Sequence, residues 1–228
     1  MPIQALVFDL DDTLWPLVPL IHNAENQVHT WLEQHAPKVT QAFSVQDLKE
    51  KRMALIPSDP RFSYDLWALR HTALKHVLAE VGEHTDKADQ AIQVFFHARN
   101  QVQFFPEVKE VLTILQKNYT LASISNGFAD LHSIGIAPFF KASLAAHSFG
   151  CAKPDPRIFL AMAEQLEMEP ANILYIGDDL RLDVQGAQEA GMQAAWMNRQ
   201  QINLEESKHP HVKPDFIVKD LHELLSKL

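Results

Sequence analysis

The chain combines two kinds of apolar pattern. Short, nearly unbroken apolar runs recur along it: ALVF (5–8), TLASIS (120–125), ASLAA (142–146), NILYIG (172–177), QAAWM (193–197) and DFIV (215–218). Each is short for a helix and lacks the polar alternation of a half-buried strand. Such runs predict strands covered on both faces, and hence a parallel sheet. Between the later runs the apolar positions recur every three or four residues. PEVKEVLTILQKN (106–118) puts Val108, Val111, Leu112 and Leu115 on one stripe, with Pro106 suited to the first turn. DPRIFLAMAEQLE (155–167) repeats the spacing with Ile158, Met162 and Leu166. DVQGAQEAG (183–191) ends in a glycine suited to a helix stop. Strand and helix in alternation predict a doubly wound, Rossmann-like α/β core.

The stretch from about Pro16 to Gln103 has no convincing strand. LIHNAENQVHTWLEQHA (20–36) carries Ile21, Ala24, Val28 and Trp31/Leu32 at helical spacing. VQDLKEKRMALI (45–56), SYDLWALRHTALKHVLAEVG (63–82) and KADQAIQVFFHARNQV (87–102) also read as helices, and IPSDPRF (56–62) is a break. The expected organisation is an α/β core of residues 1–15 and 104–228, interrupted by an all-helical insert over 16–103.

Composition narrows the partners. The chain has 228 residues, 46% of them apolar, enough for one large domain or a core with an insert. Lys plus Arg total 20 against 29 Asp plus Glu, a formal charge of -9. That balance argues against a nucleic-acid binder but leaves room for a small anionic substrate at a locally positive site. Cys151 is the one cysteine, so no internal disulfide forms. The start, MPIQALVFDL, lacks the pattern of a signal peptide, and no window has the roughly 18 apolar residues of a membrane span. A cytoplasmic protein without membrane or nucleic-acid partners is expected, as monomer or homodimer.

Ligands of open parallel sheets bind at the carboxyl ends of the strands. The first run ends in Asp9, Leu10 and Asp11, with Asp12 following. Residues i and i+2 of an extended chain point the same way, so Asp9 and Asp11 face one site. The second run ends in Ser125, Asn126 and Gly127; GDDLRLD brings Asp178, Asp179 and Asp183; AKPD supplies Lys153. Clustered carboxylates repel one another unless a cation compensates. A few carboxylate oxygens with water suit Mg²⁺. A lysine adds a fixed positive charge, and a hydroxyl with turn N–H groups suits phosphate. One carboxylate then remains to attack phosphorus.

The four segments FDLDDTLW, ISNG, AKPD and GDDLRLD, in this order, resemble the motifs of the haloacid dehalogenase (HAD) superfamily, in its phosphatase branch with a helical cap after the first motif. The resemblance covers nearly the whole chain. It implies a HAD-like fold and Mg²⁺ as cofactor. It makes Asp9 the nucleophile and a metal ligand, Asp11 the general acid/base and a metal ligand through its carbonyl, and Asp178 the third ligand. Ser125, with Asn126 and Gly127, binds the transferring phosphate, and Lys153 neutralises Asp9 and phosphate. Thr13 fixes the turn after the first motif, and Asp183 is a supporting carboxylate near Lys153 or a metal-bound water. Many members have glycine where Asp12 stands. Within the family, dehalogenases expel halide, which needs no proton, whereas an ester needs an acid for its leaving oxygen. Asp11 and Asp178 therefore favour a phosphatase. The C-terminal half, from ISNG through AKPDPRIFLAMAEQL to PDFIVKDLHELL, is similar to bacterial phosphatases acting on FMN and on 5-amino-6-(5-phospho-D-ribitylamino)uracil, and YDLWALRHTAL in the cap also looks similar. A small phosphorylated metabolite of riboflavin metabolism is the implied substrate. Sugar phosphates, nucleotides, a mutase, a dehalogenase and a non-enzymatic binding protein on the same fold are the alternatives. A phospho-receiver domain clusters similar residues but is shorter and lacks the insert.

Plainer roles are expected elsewhere. Asp12 reads as a turn residue and Asp179 as a helix cap. Cys151 reads as an inert loop thiol, and His22, His29 and His35 as surface groups without metal spacing. Trp31, Phe95 and Phe96 fall on apolar stripes. Trp15 is expected near the site entrance. Trp67 and Arg70, i and i+3 on one cap helix, are candidates to meet a ring and a phosphate.

Overall fold

The computed structural model describes residues 2–228. They divide into two compact units. One comprises the chain up to Pro16, Gln103–Gly127 and Gly135–Leu228; the other comprises Leu17–Val102 and Phe128–Ile134.

In the first unit every apolar run becomes a strand: β1 (Ala5–Phe8), β2 (Thr120–Ser125), β3 (Ala142–Ala145), β4 (Ile173–Gly177), β5 (Gln193–Met197) and β6 (Phe216–Val218). All are parallel, in the order β3-β2-β1-β4-β5-β6. This is the Rossmann-like α/β fold that the run pattern predicts. β1 and β4 are buried along their whole length, whereas the edge strands β3 and β6 are partly exposed. The helix Pro156–Leu166 buries Ile158, Phe159, Met162, Ala163 and Leu166, with Pro156 in its first turn and Asp155 capping Arg157 N. Burying each large side chain there stabilises by about 1.5–3 kcal/mol. The helix Val108–Leu115 buries all four of its expected positions.

Register decides where the chemistry lies. Phe8 is level with Ser123 of β2 and Ile176 of β4. The three strands thus end at one edge, beside which the order turns outward in both directions from β1. That is the switch point at which open sheets bind ligands.

The second unit is helical: α1 (Leu17–His35), α2 (Pro37–Ala42), α3 (Val45–Ala54), α4 (Leu66–Glu80) and α5 (Lys87–Arg99). α1 starts earlier than its pattern suggests and buries Leu20, Ala24, Val28 and Leu32, four residues apart. α3 opens on a capping box between Ser44 and Asp47. The expected break holds two short 3₁₀ turns. Phe128–Ile134, which the sequence reading leaves in the core, groups with these helices: Phe128 is buried against Phe95, and Asp130 N donates to Asn100 Oδ1 at 2.9 Å. Among the described residues no helix is long and apolar enough to cross a membrane.

Candidate active site

Lys153 is the hub of the site. It is buried, and its Nζ donates to Asp9 Oδ1 at 2.5 Å, Asp183 Oδ1 at 2.6 Å and Tyr175 Oη at 2.9 Å. These acceptors use all three ammonium protons. Burial by itself pulls the ammonium down, but the charges of Asp183 and Asp9 outweigh it and hold the group well above the usual lysine range. The loop carrying Lys153 is tied to the end of β2. Asn126 Oδ1 accepts from Lys153 N at 2.8 Å, and Asn126 Nδ2 donates to Lys153 O at 3.1 Å. Ser125, nearly fully buried, accepts from Gly127 N at 3.0 Å.

The carboxylates outnumber the ammonium. Asp9, Asp178 and Asp183 each present an oxygen within 4.8 Å of the others. Burial lifts the Asp9 carboxyl to about 7; Lys153 pulls it down, but Asp183 and Asp11 push it up. Burial and then Asp9, Asp183 and Asp12 lift Asp178 to about 9. Hard oxygen donors in such surplus fit a divalent cation, which would remove the repulsion that makes them hold protons. The three clustered carboxylates are not identical with the expected metal set of Asp9, Asp11 and Asp178. Asp183 is committed on both oxygens, to Lys153 and to Asp179 N at 3.0 Å, and so acts as support for the lysine.

A wide turn of helix aims Asp183. The sequence pattern predicts an ordinary helix from Asp183; instead a π-helical turn covers Leu180–Gln185, capped by the Asp179 side chain. Asp183 N and Val184 N both donate to Asp179 O, at 3.0 and 3.2 Å. Asp179 is thus the helix cap that its position suggests. A β-carbon added at Gly177 would land on the Asp183 carboxyl group. Gly177→Ala is therefore expected to displace Asp183, destabilise the fold by about 1–3 kcal/mol and lower turnover. Urea unfolding beside a phosphate-release assay checks this.

The turn after β1 departs from expectation in two places. Trp15 is fully buried rather than placed at an entrance. Its ring packs edge-on against Phe104, and its indole Nε1 donates to Asp11 Oδ1 at 2.8 Å. The ring is apolar and its single donor needs an acceptor, and both needs are met inside the core. Thr13 is buried, but its hydroxyl makes no hydrogen bond among the described residues. What fixes the turn is the Thr13 carbonyl, which accepts from Arg199 Nε and Nη2 at 3.1 and 2.8 Å. Arg199 also pairs with Glu107 at 2.9 Å and stacks on Phe105. Asp12 takes φ 56°, in keeping with a turn residue.

Arg70 and Trp67 belong to the helical unit and are engaged within it. Arg70 Nη1 donates to Glu25 at 3.4 Å, and its guanidinium lies 3.5 Å from the Phe95 ring centre. Trp67 stacks on His71. An i, i+3 spacing cannot tell a ligand contact from an internal one, and here both side chains pack internally. Trp31 and Phe96 pack against that unit's core and Phe95 lies within it. Cys151 is buried, which raises its thiol pKa and suits an inert role.

Sequence reasoning missed Tyr175 and Arg199. Tyr175 accepts from Lys153 and shares its proton between Ile124 O at 3.2 Å and Asp183 Oδ1 at 3.3 Å. A phenol inside the buried run NILYIG was the available signal, since buried hydroxyls need partners. Nothing local marks Arg199.

A family profile described as haloacid dehalogenase-like hydrolase matches residues 3–191. The chain is 28% identical over 228 residues to the 5-amino-6-(5-phospho-D-ribitylamino)uracil phosphatase YigB of Escherichia coli (strain K12), with 98% of this chain and 95% of that protein covered. It is 28% identical to the glyceraldehyde 3-phosphate phosphatase of Methanopyrus kandleri, over 98% of this chain and 96% of the relative. The crystal structure of a 2-haloacid dehalogenase from Pseudomonas syringae pv. Tomato DC3000 superposes with a TM-score of 0.90 at 38% identity, covering 98% of this chain and 97% of that one.

Proposed function

The chain belongs to the haloacid dehalogenase-like hydrolase family, and from that premise we propose that it is a Mg²⁺-dependent phosphomonoesterase that works through an aspartyl phosphate. The observation carrying this reading is the surplus of carboxylates around one ammonium, with Asp11 near enough to raise the Asp9 carboxyl. Asp9 attacks phosphorus through a carboxylate oxygen. The bond from phosphorus to the ester oxygen breaks, and Asp11 gives its proton to that oxygen. Asp11 then takes a proton from water, which attacks the aspartyl phosphate and frees Asp9 and inorganic phosphate. Lys153 holds Asp9 in line and offsets charge on the transferring group. Ser125, Asn126 and Gly127 are assigned to its oxygens. Mg²⁺, held by Asp9, Asp178 and the Asp11 carbonyl, would supply charge neutralisation at phosphorus. The helical unit, residues 16–103 in the sequence reading, is assigned the selection of the leaving group, as the resemblance implies.

The substrate proposed is FMN or 5-amino-6-(5-phospho-D-ribitylamino)uracil. Its support is the likeness of the C-terminal half and the name of the E. coli relative. Phosphate release from a panel that includes FMN, sugar phosphates and nucleotides tests it. Preference for a sugar phosphate with FMN inert would remove the riboflavin assignment and keep the mechanism. The name of the P. syringae protein favours a second reading, halide release from a 2-haloacid. Against it stand Asp11 and Asp178, which halide departure does not need. Chloride release from 2-chloropropionate, without phosphate release from any ester, would decide for the dehalogenase.

The metal assignment has its own test. At acid pH folded and unfolded chains are both protonated at Asp9 and Asp178. As pH rises above 3.8 the unfolded carboxyls ionise, while the folded ones hold their protons to about 7 and about 9. Metal-free stability therefore falls across that window. Mg²⁺ is expected to raise the melting temperature more at pH 8.5 than at pH 5.5, and EDTA to abolish turnover. Equal shifts at both pH values, or turnover in EDTA, would remove Asp178 from the metal site.

A further inference from the structure

The turn that carries Asp11 is held from several sides. Arg199 grips the Thr13 carbonyl, Phe105 N donates to Leu14 O at 3.1 Å, and Asp12 N donates to Trp15 O at 2.7 Å. Asp11 and Trp15 also face each other in a backbone bridge. Inside this frame the Trp15 ring has no exposed surface and meets Phe104 edge-on, centroids 5.7 Å apart. The whole arrangement directs one N–H at Asp11 Oδ1, 2.8 Å away.

We infer that Trp15 is a positioning residue for the general acid Asp11, an inference that rests on the phosphatase reading above. An indole has two side-chain torsions, and packing fixes both, so its donor has one direction. It donates and never accepts, so it cannot take the proton that Asp11 must deliver. The indole N–H thus fixes the orientation of the Asp11 carboxyl group. In the first step the O–H bond of the Asp11 carboxyl group breaks, the proton passes to the ester oxygen as its bond to phosphorus breaks, and the carboxylate left behind is stabilised by the indole N–H. That bond strengthens as negative charge develops on Asp11, which is when an interaction accelerates the step. A cap-side specificity contact would instead require an exposed ring.

Trp15→Phe keeps a ring against Phe104 and removes the donor. The first-turnover rate is measured for p-nitrophenyl phosphate, whose leaving group scarcely needs an acid, and for an alkyl ester such as glycerol phosphate, which does. The alkyl ester is expected to slow by about 10- to 100-fold, and p-nitrophenyl phosphate by less than about 3-fold. In the Asp11→Asn background the same substitution is expected to add nothing for either ester, because both changes act on one proton transfer. Equal slowing of both esters, or full additivity with Asp11→Asn, overturns the inference. Wild-type protein inert toward every phosphate ester overturns the phosphatase reading instead. Should Trp15→Phe not fold, the Trp15 indole N–H resonance is compared between wild type and Asp11→Ala. It is expected to move upfield as its acceptor is lost, and an unmoved resonance overturns the inference.

Discussion

Asp9→Asn is expected to abolish phosphate release while leaving the fold intact. Asparagine has the shape of aspartate and fits the same buried space. It lacks the anionic oxygen that would form the bond to phosphorus, so the loss falls on the first chemical step. Removing a nucleophile in comparable enzymes costs about 10⁴-fold or more, equivalent to over 5 kcal/mol of barrier. Stability should change little. Lys153 loses one carboxylate partner but keeps Asp183 and Tyr175. Asp9 also sits where burial, Asp183 and Asp11 all oppose its charge, so its neutral replacement relieves repulsion in the metal-free protein. Phosphate release from p-nitrophenyl phosphate, with circular dichroism as the fold control, checks both halves. Mass spectrometry guards against deamidation back to aspartate. Turnover within tenfold of wild type would end the assignment of Asp9 as nucleophile.

Lys153→Met carries the second large effect, and it acts on stability and rate together. Methionine matches the length of the lysine stem but leaves Asp9, Asp183 and Tyr175 without the ammonium that joins them. Breaking a buried ion pair by deleting one partner typically destabilises by about 3–5 kcal/mol, because the other charge stays buried and unpaired. The sign of the pH dependence follows. The carboxylates left behind avoid the penalty by keeping protons, which they can do at low pH. The destabilisation should therefore be small near pH 4 and grow toward pH 8. Urea unfolding in EDTA at the two pH values reads it. Turnover should fall by about 10²–10³-fold, the scale of losing one preorganised electrostatic contact to a developing charge. A loss of stability that is the same at both pH values would show that Lys153 contributes packing rather than charge.

The two substitutions separate what the lysine and the nucleophile each do. Asp9→Asn removes chemistry and keeps the network. Lys153→Met removes the network, and the chemistry fails with it.

Much of this protein is determined by the chain alone. Six strands are legible because a sheet covered on both faces demands unbroken apolar runs, and all six runs form it. The helical insert is legible because a surface helix needs a stripe of period 3.6, and α1 and α5 carry one. The positions of Asp9, Ser125 and Asp178, at or just past the ends of β1, β2 and β4, follow from the rule that parallel strands present their carboxyl ends to ligands. What only the tertiary structure decided lies between residues distant in sequence. Lys153 meets Tyr175, a partner the sequence did not mark, and Arg199 meets Thr13 across 186 positions. Trp15 beside the first motif and Arg70 on a cap helix looked like contacts for a substrate. Packing turned one inward onto Asp11 and the other onto Glu25 and Phe95. Asp183 was placed by a π-helical turn that its local sequence does not announce. Periodicity reports which face of an element is buried. It carries no information on which distant group a buried polar atom will meet, because that choice is made by the packing of elements that only the folded chain brings together.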